Sequence, residues 1–311
     1  MKFNGKTVFI TGGTGFIGGS LIASLKSGGA NVICYGRSLE KIAKKYGEQV
    51  IATDTFDHAD VRIDYIIHAA CPTASSELAT KPIEVIDSVY DLTKASLELA
   101  RITSAKYIFL SSMEVYDGLN GDVHEDEIGK CDLSRSRSAY PLGKQLGELL
   151  VNSYHNEYNV DTVIVRLAQV FGPGATINDS RFFNFIIKKC LNNEPIVLNT
   201  TGEKWHNSCF ISDAVFYILK LLLTDVTGTF NVATPAYCNT INSLTENIIK
   251  ILGSKSTIDH NIMKVTDFRP DFRYKMSNEK IQKMFPEHIR CFLKRCLDVN
   301  IQCLFFQRTN S

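Results

Sequence analysis

The sequence predicts an α/β protein with a doubly wound parallel sheet and a smaller lobe in its C-terminal half. Short apolar, β-branched runs alternate with longer stretches of helical periodicity through the first 170 residues. These runs are apolar throughout, as expected of parallel strands buried on both faces. The first run, 7–10, leads directly into a glycine-rich turn and then a helix that ends at Gly28-Gly29.

The glycine-rich turn, 11–18, predicts a Rossmann-type dinucleotide site. Glycine at positions 12, 15 and 18 permits a tight turn and lets the backbone approach a pyrophosphate, and the first amides of the helix then face that anion. A Gly-rich loop alone would say little, but here a strand precedes it and a helix follows. The candidate cofactor-binding residues are Gly12, Thr14, Gly15, Phe16, Ile17 and Gly18.

The end of the second strand, 31–35, bears on cofactor choice. Dinucleotide folds that use NAD usually carry an acidic residue there for the adenosine ribose, whereas this chain has Gly36-Arg37-Ser38. Arg37 and Ser38 are therefore candidates for holding the additional phosphate of NADP, although an exposed loop arginine is the alternative. The cofactor is NAD or NADP, with NADP favoured. A short helix over 39–46 and a third strand, 50–52, lead to Asp54, placed to approach the adenine.

The fourth strand, 64–70, ends in Ala69 and Ala70, whose small side chains would let the cofactor pass over the strand end. His68 is interpreted as a packed histidine rather than a catalyst. A long helix, 83–104, and a fifth strand, 106–110, follow. That strand runs into a hydroxyl-rich segment, 111–116, at the sheet edge where such folds bind ligands.

Residues 117–138 are polar and are predicted to form a loop or a lid over the substrate. Tyr140 and Lys144 then open a helix and, being four residues apart, share one of its faces. The ammonium would favour the phenolate, which suits the tyrosine to proton transfer at neutral pH.

The amino-acid composition argues against several classes of protein. The 311 residues carry 34 basic and 33 acidic side chains, so no global field draws the protein to nucleic acid or to a membrane surface. Nine cysteines without regular spacing are interpreted as reduced thiols. With no long apolar run and no metal-ligand cluster, we expect a cytoplasmic protein without a metal ion.

The second half predicts a sixth strand, 162–167, three amphipathic helices, 182–191, 213–223 and 241–252, and short strands near Ile196 and Phe230. We expect residues 1–170 to form the cofactor-binding domain with the catalytic residues. Residues 171–311 would form mainly a substrate-binding lobe, with segments that return to the sheet. The tail beyond about residue 286 is interpreted as a docking segment or a frayed end.

Three segments resemble the extended short-chain dehydrogenases/reductases, and within them the NAD-dependent epimerase/dehydratase branch that acts on nucleotide sugars. They are TGGTGFIG at 11–18, SSMEVYD at 111–117 and YPLGK at 140–144. The similarity runs from about residue 5 to about residue 285, with further matches at 166–174, 178–181 and 209–214. It implies that Tyr140 is the catalytic acid/base, that Lys144 tunes it and binds ribose, and that Ser112 bonds the reacting substrate oxygen.

The departures from this family pattern reduce the number of reactions that the resemblance allows. Gly36 replaces the aspartate of NAD-using members, and Met113 replaces an acid of the 4,6-dehydratases, which argues against dehydration. Glu114 is present, as in dehydratases and UDP-glucuronate decarboxylases, and is a further catalytic candidate. The candidate substrate-binding residues are Gln169, Arg181, His206, which stands where relatives place an arginine, and Arg273, which fits the family's second phosphate arginine.

The resulting prediction is hydride transfer at a ring carbon of a nucleotide-linked sugar, at C4, by an epimerase or a ketoreductase. A nucleotide-sugar decarboxylase is the alternative within the same chemistry. A non-catalytic dinucleotide-sensing scaffold is the alternative from another class, and the presence of Ser112, Tyr140 and Lys144 argues against it. We expect a homodimer.

Overall fold

The computed structural model describes residues 1–72, 78, 80–174, 181–234, 238–262 and 273–286. Within them a central sheet of seven parallel strands runs in the order β12-β7-β5-β4-β1-β2-β3. The chain steps outward from β1 in both directions, which is the doubly wound arrangement that the sequence predicts. The strands of this sheet are β1 Thr7–Thr11, β2 Asn31–Tyr35, β3 Ile51–Thr53, β4 Tyr65–His68, β5 Lys106–Ser112, β7 Thr162–Leu167 and β12 Gly228–Val232.

Helices cover both faces of the sheet, because alternate side chains of each strand point to opposite sides. Val8 and Ile10 of β1 pack in the core shared with α1 and α6, whereas Phe9 packs in the core shared with α3 and α4. The helices are α1 Phe16–Ser27, α2 Leu39–Tyr46, α3 Pro82–Thr103, α4 Ala139–Tyr158, α5 Phe182–Leu191, α6 Ile211–Leu222, α7 Ile241–Leu252 and α8 Glu279–Met284. None of the described helices is both long and apolar enough to cross a membrane.

Four short pairs of strands complete the described structure. β11 (Ser208–Phe210) pairs with β8 (Gln169–Phe171), and β10 (Trp205–His206) pairs with β13 (Asn239–Thr240). The other two pairs are β14 (Ile258–His260) with β9 (Ile196–Leu198) and β15 (Tyr274–Met276) with β6 (Gly121–Val123). Beyond residue 170, β12 and α6 return to the central sheet, while the division into a cofactor-binding and a substrate-binding part stays a prediction.

Residues 117–138 differ from the predicted loop. They contain β6, which pairs in parallel with β15, and a 3₁₀ turn at Ser136–Ser138. A buried ion pair also anchors this segment: Arg166 Nη2 lies 2.8 Å from Glu148 Oε2, and Arg166 Nη1 donates to the carbonyls of Glu125 and Glu127. The segment is therefore more ordered than a plain loop, and a role as a lid over the substrate stays a prediction.

Smaller differences concern where elements begin and end. β5 continues through Ser112, two residues beyond the predicted strand, because it pairs with β7 up to Leu167. β3 lies one residue later than predicted, at Ile51–Thr53, and α6 begins two residues earlier than predicted, at Ile211. Asn178, Asp179, Ser180 and the tail beyond residue 286 lie outside the described residues. The six described cysteines are free thiols.

His68 is a packed residue at the end of β4, as predicted. It is 1% exposed, and its ring nitrogens contact the hydroxyls of Thr11, at 2.7 Å, and Thr93, at 3.2 Å. Burial, together with the smaller effect of the Lys144 charge, lowers the pKa of His68 to about 3. The folded protein therefore keeps this imidazole neutral, whereas an unfolded chain protonates it below pH 6.5.

His68 should make folding less favourable in acid. The unfolded state binds the extra proton, so His68 should remove about 2 kcal/mol of stability between pH 8 and pH 5. The measurement is urea unfolding across this range for the wild type and for His68→Asn, whose stability should fall less steeply. His124→Gln, which changes an exposed histidine, is the control. Equal slopes for the wild type and His68→Asn would contradict a neutral, buried His68.

Candidate active site

The glycine turn is built for close packing. Gly12 has φ +71°, and a Cβ there would lie 2.7 Å from the backbone of Ala69 and Ala70, at the end of β4. A Cβ on Gly18 would lie 2.3 Å from the carbonyl oxygen of Gly12. The first turn of α1 can therefore pack against the glycine turn only if residue 18 is glycine. Gly15 precedes α1 as its N-cap, and no side chain caps the helix. The turn therefore fits a dinucleotide's pyrophosphate at the start of α1.

The residues after β2 make contacts that the sequence does not indicate. Arg37 is exposed, whereas the hydroxyl of Ser38 caps α2 by accepting the Lys41 amide at 3.3 Å. From the far end of α2, Lys45 Nζ donates to the Thr14 carbonyl at 3.0 Å, and Tyr46 donates to the Gly13 carbonyl. Asp54, just beyond β3, is exposed. Helix α2 thus fixes the glycine turn from outside, a contact that sequence spacing does not reveal.

A cavity of about 540 Å³ opens at the carboxyl edge of the sheet. It extends from the start of α1 and the end of β4, at Ile17 and Ala69, past the end of β5 to β10. Ala70 is at the same strand end, where its amide donates to Thr11. Nine predicted site residues line the cavity together: Ile17, Ala69, Ser112, Glu114, Tyr140, Lys144, Gln169, Arg181 and His206.

Tyr140 and Lys144 are both buried, at 8% and 4% exposure, on the face of α4 that meets β5. Lys144 Nζ donates to the Leu110 carbonyl at 2.8 Å and lies 6.0 Å from the centre of the Tyr140 ring. Burial raises the pKa of Tyr140 above its ordinary value, and the charges of Cys71 and Glu114 raise it further. The Ser112 side chain and the Arg137 guanidinium act in the opposite direction. Burial outweighs the groups that favour the phenolate, and the effect of Lys144 on this pKa stays a prediction.

Ser112 and Glu114 occupy the turn that follows β5. The Ser112 hydroxyl accepts the Glu114 amide at 3.2 Å, which begins a 3₁₀ turn at Met113–Tyr116. Glu114 Oε1 accepts a hydrogen bond from Arg137 Nη2 at 2.9 Å. Met113 also lines the cavity.

The predicted substrate residues are partly brought together. His206 contacts Ser208 at 2.8 Å through Nδ1 and Gln169 through Nε2, and its ring packs on Phe182 at 4.5 Å. Arg181 lies over the Phe16 ring at 4.9 Å. Arg273, in contrast, is not among the residues that line the cavity, and its Nη2 lies 3.7 Å from Glu203 Oε2. The assignment of Arg273 to the substrate stays a prediction.

Several lining residues were missed by sequence reasoning: Cys71, Arg137, Lys204 and Trp205. Cys71 follows the two alanines at the end of β4, and that position could have been noticed. Arg137 precedes Tyr140 by three residues, but only the 3₁₀ turn directs it into the site. Lys204 and Trp205 come from β10 and the residue before it, which the sequence does not mark. The described residues contain no group of three or more potential metal ligands.

Comparison with known proteins places these features in one family. The model of the NAD dependent epimerase/dehydratase family matches residues 8–233. UDP-glucuronic acid decarboxylase 4 of Arabidopsis thaliana is 29% identical over 273 residues, covering 85% of this chain and 59% of the relative. UDP-glucuronic acid decarboxylase 1 of Xenopus tropicalis is 26% identical over 240 residues, covering 74% and 56%. The chain thus spans somewhat less than two thirds of these relatives.

Solved structures share the fold at low sequence identity. UDP-glucose 4-epimerase of Thermotoga maritima, solved with UDP-glucose, superposes with a TM-score of 0.81 at 18% identity, covering 98% of this chain and 100% of that one. UDP-glucuronic acid 4-epimerase of Bacillus cereus, solved with UDP-glucuronic acid and NAD, gives 0.81 at 20% identity, covering 97% and 99%. Because the family model covers most of the chain, including the glycine turn and the Tyr140 helix, the protein belongs to the NAD-dependent epimerase/dehydratase family.

Proposed function

We propose that this protein transfers hydride at C4 of a nucleotide-linked sugar, using NAD or NADP, as an epimerase or a ketoreductase. The observation that carries this proposal is the convergence of Ser112, Tyr140 and Lys144 on one cavity that also reaches Ile17 of the glycine-turn helix. A proton-transfer group and a dinucleotide site are thereby brought to the same sheet edge.

Each side chain has a proposed role. When bound, the dinucleotide supplies a nicotinamide ring that accepts or donates hydride. Gly12, Gly15 and Gly18 admit the pyrophosphate, and Ala69 and Ala70 leave room over the end of β4. Ser112 holds the reacting sugar oxygen by a hydrogen bond. Tyr140 takes the hydroxyl proton when the sugar is oxidised and returns a proton when it is reduced, while Lys144 binds ribose.

Substrate phosphates are proposed to lie against the basic side chains of the cavity wall. Arg181 and Lys204 both line the cavity and supply positive charge, which suits a diphosphate. Gln169 and His206 form the adjoining wall. Trp205 also lines the cavity and is the single tryptophan of the chain, so its fluorescence offers a direct report of ligand binding.

Decarboxylation of a UDP-uronic acid is the second candidate. It is supported by Glu114 at the cavity wall and by the curated relatives, which are UDP-glucuronic acid decarboxylases. Oxidation at C4 would let the C5 carboxylate leave as carbon dioxide, with its electron pair passing to the C4 ketone; C5 is then protonated and C4 reduced. Incubation with UDP-glucuronic acid separates the candidates, since only decarboxylation releases carbon dioxide, whereas epimerisation keeps the carboxylate.

Two further expectations remain proposals. A homodimer is supported by exposed apolar side chains on α3 and α4, namely Ile83, Ile86, Tyr90 and Leu149. Location in the cytoplasm stays a prediction. The dinucleotide-sensing scaffold is the outcome if nucleotide sugars and cofactor bind without turnover.

Replacing Tyr140 tests the proposed acid/base. Tyr140→Phe removes the proton-transfer group while keeping the ring, so turnover should fall by about 10²-fold or more. Dinucleotide binding, followed by Trp205 fluorescence, should stay at its wild-type strength. Lys144→Met should lose turnover and also weaken dinucleotide binding, because the proposed ribose ligand is gone. Tyr140→Phe with more than about a tenth of wild-type turnover would contradict the role, given the loss expected of such groups.

The residues after β2 test cofactor choice. Without a carboxylate at position 36, NADP should bind at least as well as NAD, and Arg37→Gln should weaken NADP binding alone. Gly36→Asp should favour NAD, since a carboxylate repels the extra phosphate; a Cβ at position 36 lies 3.1 Å from Ile42 Cδ1, so the core must shift slightly. Fluorescence titration measures the dissociation constants of NAD and NADP for each variant. Lys44→Gln on α2 is the control. If the wild-type protein bound NAD more than about tenfold tighter than NADP, a difference of about 1.4 kcal/mol, the predicted preference for NADP would be wrong.

A further inference from the structure

The approach to Tyr140 contains an ion pair outside the predicted Ser-Tyr-Lys set. Arg137 Nη2 and Glu114 Oε1 are 2.9 Å apart, and the two side chains are only 20% and 13% exposed. The Arg137 guanidinium also lies over the Tyr140 ring, 5.6 Å from its centre. One cation therefore contacts both a cavity carboxylate and the ring of the proposed acid/base.

The backbone around Arg137 is held by its own hydrogen bonds. Asp132 accepts both the amide and the hydroxyl of Ser134, and its carbonyl accepts the Ser138 hydroxyl at 2.6 Å. Arg135 Nε pairs with Asp132 on the same turn at 3.1 Å. These contacts fix the 3₁₀ turn at Ser136–Ser138 before α4 begins, so Arg137 enters the site from a structured segment.

Within the guanidinium, the contacts are unevenly distributed. Nη2 bonds Glu114, whereas Nη1 is buried and has no hydrogen-bond partner among the described residues. The Glu114 bond and the Tyr140 ring therefore supply the described contacts that orient this group. Conversely, Arg137 holds the Glu114 carboxylate against the cavity wall.

The charged and titratable groups around Tyr140 come from four places. Lys144 lies on its own helix, Cys71 follows β4, Glu114 follows β5, and Arg137 precedes α4. Lys144 Nζ is directed to the Leu110 carbonyl and to the Phe109 ring, 4.9 Å away, as well as toward Tyr140. Glu114 opposes formation of a phenolate, and Arg137 is the cation in contact with both.

We propose that Arg137 is a positioning residue, which holds the Glu114 carboxylate at the cavity wall and offsets its charge at Tyr140. This proposal rests on the proposed function, because it gives Tyr140 a proton to exchange. A positive charge beside the ring favours the phenolate, and a negative charge disfavours it. Glu114 can then lie next to Tyr140 without suppressing the ionisation that proton transfer requires.

Ionisation of Tyr140 tests this proposal without turnover. The chain is labelled with ¹³Cζ-tyrosine, the Tyr140 resonance is assigned by its loss in Tyr140→Phe, and its pH titration is followed in the complex with the oxidised dinucleotide. Arg137→Gln should move the midpoint to higher pH by about one unit or more. Glu114→Gln should move it to lower pH, and the double variant should lie near wild type.

Two variants separate charge from structure. Arg137→Lys keeps the positive charge, so its midpoint should stay near that of the wild type. Lys130→Gln, which removes an exposed positive charge from the same segment, is the matched control and should leave the midpoint unchanged. Thermal melting confirms that each variant folds.

A Tyr140 midpoint that Arg137→Gln leaves unchanged, or a double variant whose midpoint stays as high as that of Arg137→Gln alone, would overturn the proposal. The pH profile of kcat/KM supplies the second readout: its alkaline shift in Arg137→Gln should match the shift seen by NMR. Absent turnover in every variant and the wild type would defeat the proposed function, whereas the NMR titration would still decide the role of Arg137.

Discussion

The hydrogen bonds of Thr11 hold together the parts on which the site depends. At the end of β1, its hydroxyl accepts the amides of Ala69 and Ala70, at 3.1 and 3.0 Å, and contacts His68 at 2.7 Å. This joins the end of β1 to the end of β4 just where Gly12 passes too close for any side chain. Since β4 pairs with β5, the glycine turn is fixed relative to Ser112 and the helix that carries Tyr140. The start of α1 and the end of β5 thereby line one cavity.

Burial and charge oppose one another throughout this cavity. Removing the Tyr140 phenol from water favours its neutral form, and burial likewise keeps His68 uncharged beneath the strand ends. Cations are held at specific positions: Lys144 against the Leu110 carbonyl of β5, Arg137 against Glu114, and Arg181 and Lys204 at the cavity wall. Electrostatic interactions at such a partly buried site depend on where each charge is held rather than on the net charge of +1.

The sequence predicted the strands and helices that local residue patterns specify. Thr162–Leu167, Phe182–Leu191 and Ile241–Leu252 lie where periodicity placed them, because β-branched runs and amphipathic stretches specify their own structure. The pairing of Gly121–Val123 with Tyr274–Met276 could not be predicted, since it joins segments about 150 residues apart. The same limit applies to the site: Tyr140 and Lys144 are neighbours on a helix, whereas Lys45 on the Thr14 carbonyl, Trp205 at the cavity and Arg137 against Glu114 arise from tertiary contacts.

The central claim is that this cavity moves hydride at C4 of a nucleotide sugar while Tyr140 moves the proton. Turnover of UDP-glucuronic acid carrying deuterium at C4, in ordinary water and with catalytic amounts of dinucleotide, tests it most directly. The account predicts that turnover slows relative to the unlabelled sugar and that mass spectrometry and NMR find the deuterium at C4 of the product. Loss of the deuterium to water, or equal rates with labelled and unlabelled sugar together with reaction at another carbon, would contradict it.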